Sequence, residues 1–355
     1  MTPSFSVESP GIITLGDNVL YALPLDGGGV LLIDAGPDFD DPEAEGQSGG
    51  DTWTQAVAQA SAHGFAPSDV RYVLVTHAHI DHAGLAHRWA TAGATIVAGS
   101  PDVPALRAGR ESNEQQRIPQ LDELRRHGAP HELVARYAVR RRRSPARRRS
   151  GMRWEPCPPD AIEGVLPVVP RTFELAGGAT LKALPSSGHT PGNLVAYVEA
   201  TGDLYSGDTL LPKTIPTPGL HFPRGSGDRG PKIGRWPSLP SFLRSVAKLR
   251  ALQVRRILPG HGPVVDDPDR LFERFRIHHE RRSRRIRALL AERPDSAYGL
   301  VRRLFPHLPE ERVWQAMTEA IGHLDVLEED QLAFPLGQID DVPPIIRYRL
   351  NPARE

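Results

Sequence analysis

At 355 residues the chain is ample for one large buried core with a smaller domain appended, so two domains are the first expectation. Its 43 Lys and Arg balance 43 Asp and Glu, and a formal net charge of zero removes any global electrostatic case for nucleic acid or an anionic membrane. No apolar run has the length of a bilayer span, residues 1–8 lack the features of a signal peptide, and the single cysteine, Cys157, can make no internal disulfide. A cytoplasmic protein with no membrane partner is therefore expected.

The first segments read as short strands: residues 19–25 and 30–33 flank Asp26-Gly27-Gly28-Gly29, a turn suited to a hairpin that opens the fold. Residues 51–63 carry Trp53, Ala56, Val57 and Ala60 at helical spacing and stop at Gly64, after which 70–75 is a continuous apolar strand buried on both faces. Beyond the loop 76–82, the small residues 83–92 suit a helix and 95–98 another strand. Such alternation marks a sheet covered by helices.

From about 101 to 170 the pattern degrades into charged helical pieces such as 120–127, the basic runs Arg140–Arg143 and Arg147–Arg149, and a cluster of prolines. It reads as an insertion whose basic stretch is exposed, because like charges repel. Cys157 lies in its Pro-rich part, with no cationic setting that would make the thiol reactive. Strands return at 171–174, 180–184, 194–198 and 204–206, and a Pro- and Gly-rich loop at 211–237 precedes a helix at 238–249 and a strand at 256–258. The α/β domain is thus expected to span 1–267. From Pro268 the signal is helical: a long Arg-rich helix to about Glu292, a second at 297–304 and a third at 310–324. Val326-Leu327 and Leu332-Ala333-Phe334 read as the strands of a wing, making 268–355 a small winged-helix-like domain.

The decisive stretch is Thr76-His77-Ala78-His79-Ile80-Asp81-His82-Ala83-Gly84, three imidazoles and a carboxylate directly after a buried strand. The sheet pins the strand end while the following residues curl outward, so His77 and His79 can point to one metal while Asp81 and His82 reach a neighbouring one. Imidazole and carboxylate are donors that zinc accepts. One histidine here would read as a capping or surface residue; this spacing does not. At the same structural place, the end of an apolar strand, stand His189 in Gly188-His189-Thr190, Asp208 in Gly207-Asp208-Thr209, and His261 in Gly260-His261-Gly262. The glycines let the backbone turn tightly and approach the other loops.

His-x-His-x-Asp-His, then Gly-His, Gly-Asp and Gly-His in that order, resembles the metallo-β-lactamase superfamily across about residues 12–265. The resemblance implies a four-layer αβ/βα sandwich holding two metal ions, zinc by expectation, at one edge of its two sheets. Carried over by position, it implies that His77, His79 and His189 hold the first metal, Asp81, His82 and His261 the second, and that Asp208 bridges them. Asp34, after the strand 30–33, resembles the family's early Asp, which braces the metal loop rather than ligating. Iron and manganese also suit this donor set.

The activity implied is hydrolysis by a metal-bound hydroxide of an ester, thioester or lactone in a small, anionic substrate, with Asp81 orienting water or moving its proton. Residues 207–212, residues 258–263 and the helical tail are similar to a subgroup of lactamase-like endoribonucleases and glyoxalase II-like hydrolases, so single-stranded RNA is the less favoured partner. A mononuclear iron persulfide dioxygenase is the redox alternative, against which the full set of His82, Asp208 and His261 argues. Specificity is expected from the loop 211–236, where Lys213, His221, Arg224 and Trp236 are candidates for gripping an anionic group beside the blander account of solvated or packing side chains. In the long helix, Arg270, Arg274, Arg281, Arg284, Arg285 and Arg287 could track phosphates, but a solvated face paired with Glu273 and Glu280 is the favoured reading.

Overall fold

Residues 4–41, 50–143, 151–216, 218–223, 234–336 and 345–354 are described by the structure, a computed structural model. The first strands are β1 (Gly11–Leu15), β2 (Asn18–Pro24) and β3 (Val30–Ile33), followed by the short pair β4 (Asp40–Asp41) and β5 (Gly50–Asp51). Next come α1 (Thr52–Ala62), β6 (Val70–Leu74), α2 (Ile80–Ala83), α3 (Ala86–Thr91), β7 (Thr95–Gly99), α4 (Val103–Ala108), α5 (Arg110–Arg126) and α6 (His131–Arg143). The chain then forms β8 (Ile162–Val165), β9 (Arg171–Glu174), β10 (Thr180–Pro185), β11 (Leu194–Val198), β12 (Asp203–Gly207), α7 (Ser238–Arg250) and β13 (Arg256–Pro259). It ends with α8 (Pro268–Glu292), α9 (Ala297–Leu304), α10 (Val313–Glu329), β14 (Ala333–Leu336) and β15 (Arg347–Leu350).

Two units result. Met1–Asn113, Ala146–Pro216 and Ser245–Leu271 form the first; Glu114–Pro145, Thr217–Arg244 and Phe272–Glu355 form the second. These boundaries differ from a single division at residue 267. The first unit holds a six-stranded sheet in the order β1-β2-β3-β6-β7-β8 and a five-stranded sheet in the order β13-β12-β11-β10-β9. Tyr21, Leu23, Leu31, Ile33, Leu74 and Val97 of the first sheet pack on Phe173, Leu181, Ala196, Val198, Tyr205 and Leu258 of the second. Outside the first sheet, Ala56 and Ala60 of α1 and Ala86 and Trp89 of α3 cover Leu20, Leu32, Val73 and Ile96. This is the expected sandwich, and in the first sheet the alternation of helix with buried strand follows from covering both faces. Asp51 caps α1, its carboxylate accepting from Thr54 N at 2.9 Å, a contact worth about 1 kcal/mol.

Four departures from the sequence reading have a physical reason. β1 precedes the hairpin, antiparallel to β2, but its outward Ile12 is apolar and hides the alternation. The helix expected at 83–92 is the shorter α3, preceded by α2 across Gly84 and Leu85, and Gly84 is packed so closely that an added Cβ would meet Ile80 O at 2.6 Å and Asp38 N at 2.7 Å. β8, inside the stretch read as an insertion, is an edge strand of the first sheet, and Ile-Glu-Gly-Val is too short and mixed to announce itself. Finally, Val326 and Leu327 are not a wing strand: α10 runs on through them because Met317, Ile321, Leu324 and Leu327 continue one buried helical stripe. β14 pairs instead with β15, in antiparallel register from Ala333 with Leu350 to Leu336 with Arg347.

In the second unit, Leu121, Leu124 and Val134 of α5 and α6 share one core with Ile286, Leu290, Leu300, Met317, Ile321 and Tyr348. Its polar interior is unusual. Arg235 donates to both oxygens of Asp325 at 2.6 Å and to Glu123 at 2.7 Å, and His127 adds a 3.1 Å contact to Glu123. The Glu123 carboxyl is held at about 2: burial would raise it, but the His127 and Arg235 contacts outweigh burial. Among the described residues no helix is long and apolar enough to cross a membrane.

Candidate metal centre

Strand direction brings the polar residues to one edge. β3 and β6 are parallel, so Asp34 and the stretch 76–82 leave the first sheet at the same end. In the second sheet β10 and β12 are each antiparallel to β11, and β13 is parallel to β12, so all three run the same way and deliver His189, Asp208 and His261 at their ends. Close approach of these loops requires glycine at 260, where an added Cβ would lie 2.6 Å from His82 Cε1.

All seven expected donors converge. His77 Nε2 is 2.9 Å from His79 Nδ1, which is 3.1 Å from His189 Nε2. His82 Nε2 is 3.2 Å from His261 Nε2, 3.4 Å from Asp208 Oδ1 and 3.7 Å from Asp81 Oδ2. Asp208 spans the two clusters, with Oδ2 3.7 Å from His189 Nε2. Three overlapping groups, His77/His79/His189, His77/His82/Asp208 and Asp81/His82/His261, each have their ligand atoms within 4.8 Å of one another.

The outer hydrogen bonds fix the imidazole tautomers. Asp34 Oδ2 only accepts, so His82 Nδ1 donates to it at 2.8 Å; the Asp17 carbonyl likewise accepts from His261 Nδ1 at 2.9 Å. Thr76 donates its hydroxyl to Asp34 Oδ1 at 2.8 Å, leaving its oxygen to accept from His77 Nδ1 at 3.1 Å. The Nε2 lone pairs of His77, His82 and His261 are therefore turned inward. Two such lone pairs 3.2 Å apart repel unless a proton or a metal cation lies between them. Asp208 Oδ1 is buried and has no hydrogen-bond partner among the described residues. This donor set fits metal ions.

Electrostatics divides the site. Burial, reinforced by the other imidazoles, holds His77 well below its ordinary value, and burial outweighs Asp81 and Asp208 to lower His79. Burial acts in the same direction on His82, but Asp34, Asp208 and Asp81 overcome it and push that imidazole well up. His261 is also raised, burial being outweighed by its hydrogen bond to Asp81 and by Asp208. Burial would raise Asp81 and Asp208, yet the imidazoles, His82 first, hold both below the usual carboxylate range.

The substrate candidates are scattered. Lys213 is exposed and lines a cavity of about 570 Å³ with His261, Gly16, Asp17, Leu211 and Thr214. A larger hollow of about 810 Å³ at Glu8, Gly177 and Arg255 contains none of the seven donors. His221 belongs to the second unit, where its carbonyl accepts from Trp236 N at 2.8 Å. Arg224 and residues 144–150 lie outside the described residues. Glu273 and Glu280 both pair with Arg276 on the solvated face of α8. Cys157 is buried, which pushes its thiol up to about 12 and away from nucleophilic use.

Sequence reasoning missed Thr76 as a relay, the Asp17 carbonyl and Asp102. The last is a polar residue just beyond an apolar strand, the very signal that located the other site residues.

A helix-covered double sheet with histidines and aspartates gathered at one edge defines a class of metal-dependent hydrolases. The sequence profile described as "Metallo-beta-lactamase superfamily" matches residues 15–261, and the chain belongs to that superfamily. Among curated proteins it is similar to "Probable metallo-hydrolase YqjP" of Bacillus subtilis, 26% identical over 92% of each chain. It is also similar to a "Beta-lactamase-like protein 2 homolog" of Drosophila melanogaster, 26% identical over 43% of this chain and 47% of that one. A metallo-beta-lactamase family protein from Thermus thermophilus shares the fold at a TM-score of 0.67 and 24% identity, covering 96% of this chain and 98% of its own. So does a beta-lactamase domain protein from Burkholderia ambifaria, at a TM-score of 0.66 and 20% identity over 99% and 95%.

Proposed function

We propose that the chain is a dinuclear metallohydrolase that cleaves an ester, thioester or lactone in a small anionic substrate. The observation that carries this reading is the inward turn of the imidazole lone pairs around Asp81 and Asp208, which supports two adjacent cation positions. His77, His79 and His189 would hold one metal, Asp81, His82 and His261 the other, and Asp208 both. Bound there, two zinc ions would supply Lewis acidity that lowers the pKa of water from 15.7 to about 7 and stabilises charge on attacking and leaving oxygens.

The protein's part is orientation and charge. Asp34 and Thr76 hold His82 and His77 with their outer nitrogens protonated, so neither ring can turn without losing a buried hydrogen bond. Asp81, kept ionised, accepts hydrogen bonds and suits a role in orienting water or taking its proton. Lys213, in the cavity beside His261, suits an anionic group on the substrate. The order of α8, α9, α10 and the β14–β15 pair supports a winged-helix-like reading of the C-terminal region.

Elemental analysis of purified protein, paired with a panel of glutathione thioester, acyl-CoA, lactone, β-lactam and single-stranded RNA, tests the proposal. About two zinc ions per chain with turnover of a thioester, ester or lactone is expected. Cleavage of RNA alone would replace the substrate class with a nucleic acid. About one iron per chain, oxygen uptake with a persulfide and no hydrolysis would overturn the hydrolase.

A further inference from the structure

We propose that Asp102 is a positioning residue that locks the His189 loop onto the His77–His79 segment and so sets the geometry of the three-histidine subsite. This rests on the dinuclear reading above.

Asp102 lies just past β7 and is 5% exposed. Its Oδ2 accepts from Ala78 N at 3.0 Å and from the Thr190 hydroxyl at 2.6 Å, and its Oδ1 accepts from Gly192 N at 2.8 Å. Ala78 is the residue between His77 and His79, and Thr190 follows His189. One carboxylate thus grips both the backbone between two metal-facing histidines and the loop of the third. Every partner is a donor, so a carboxylate, which only accepts, satisfies all three; an amide would set its own N–H against one of them.

The surrounding backbone is closely packed. A Cβ on Gly192 would lie 2.6 Å from Asp102 Cγ, and one on Gly99, at the end of β7, would lie 1.9 Å from Gly192 O. The His189 loop is therefore pressed against β7 and Asp102 through two bare backbones. His77, His79 and His189 bring no carboxylate of their own, whereas the neighbouring cluster has Asp81 and Asp208; Asp102 is the carboxylate that holds the backbone on the three-histidine side. Asp34 braces His82 at one end of the metal loop, and Asp102 is its counterpart at the other.

The test measures zinc release to a competing chelator in wild type, Asp102→Asn, Thr190→Val and Thr190→Ser, with thermal unfolding beside it. In Asp102→Asn and Thr190→Val, one of the two equivalents should leave at roughly 10- to 100-fold lower chelator activity while the other stays as in wild type. Thr190→Ser, which keeps the hydroxyl, should hold both. Thr190→Val removes only one hydrogen bond and keeps the test open should Asp102→Asn not fold. Wild-type retention of both equivalents in the variants, or parallel loss of both in step with a general fall in Tm, overturns the role of Asp102. A wild-type protein that binds no zinc would instead overturn the dinuclear reading itself.

Discussion

Asp34 Oδ2 stands 2.8 Å from His82 Nδ1 with both side chains buried, and Asp34 adopts φ 64°, a left-handed conformation uncommon outside glycine and asparagine. Strain of about 1–3 kcal/mol at such a residue persists where surrounding bonds over-determine it, and here Thr76 and His82 do so. Asp34→Asn tolerates the backbone and keeps an acceptor but loses the charge. It should weaken zinc binding at the His82 position by about 10-fold, and Asp34→Ala by about 100-fold with lower stability. Chelator competition and thermal unfolding read both; unchanged affinity in Asp34→Ala would remove Asp34 from any bracing role.

Lys213 is the next residue to test. A charge-assisted hydrogen bond is worth about 1.5–3 kcal/mol, so Lys213→Met should raise KM for an anionic substrate by about 10- to 100-fold with kcat little changed. Lys213→Arg should recover most of the loss. A fall in kcat with unchanged KM would place Lys213 at the reacting centre instead of the substrate's anionic end.

The seven donors were legible because each obeys one local rule, a polar residue after an apolar strand, and His77 to His82 obey it densely enough to exclude chance. Asp102 obeys the same rule, but the charged and Pro-rich sequence that follows disguises it as the start of an insertion. What local pattern cannot convey is long-range partnership. Leu121, Leu124 and Val134 look like stray apolar residues in polar helices until Leu290, Leu300 and Ile321 supply the other half of their core. The first wing strand was misplaced for a related reason: Val326-Leu327 suits a strand by residue type, but the buried stripe of α10 extends through Leu327.

Arg235 sits in the Pro- and Gly-rich loop, yet it is the counter-charge for two buried carboxylates, Glu123 and Asp325. Removing one partner of a buried ion network strands the others, at a cost of about 3–5 kcal/mol. Arg235→Met should therefore lower the urea midpoint markedly, and adding Glu123→Gln and Asp325→Asn to the same chain should restore part of the loss. A shift in Arg235→Met below about 1 kcal/mol would mean that water or another group reaches the carboxylates.

His279 and His323 make the second unit sensitive to acid. They face each other from α8 and α10, with Nδ1 and Nε2 3.5 Å apart, while Ser283 Oγ lies 2.9 Å from His323 Nδ1. Burial, aided by His278, lowers His279 to about 4, and burial aided by His279 lowers His323 to about 3, in each case against the opposing pull of Glu319; Arg282 adds to the lowering. Both folded values lie below that of an unfolded histidine, about 6.5, so between these limits the unfolded chain binds more protons and stability rises with pH. The contribution is whole above about 6.5 and is lost as pH falls towards 4 and then 3. Between about pH 6.5 and 5 each histidine should cost about 2 kcal/mol, seen as a fall in Tm. His279→Phe, which keeps an aromatic ring against Phe242, should flatten that dependence. An unaltered pH profile in this variant would show that His279 takes up its proton without unfolding the helices around it.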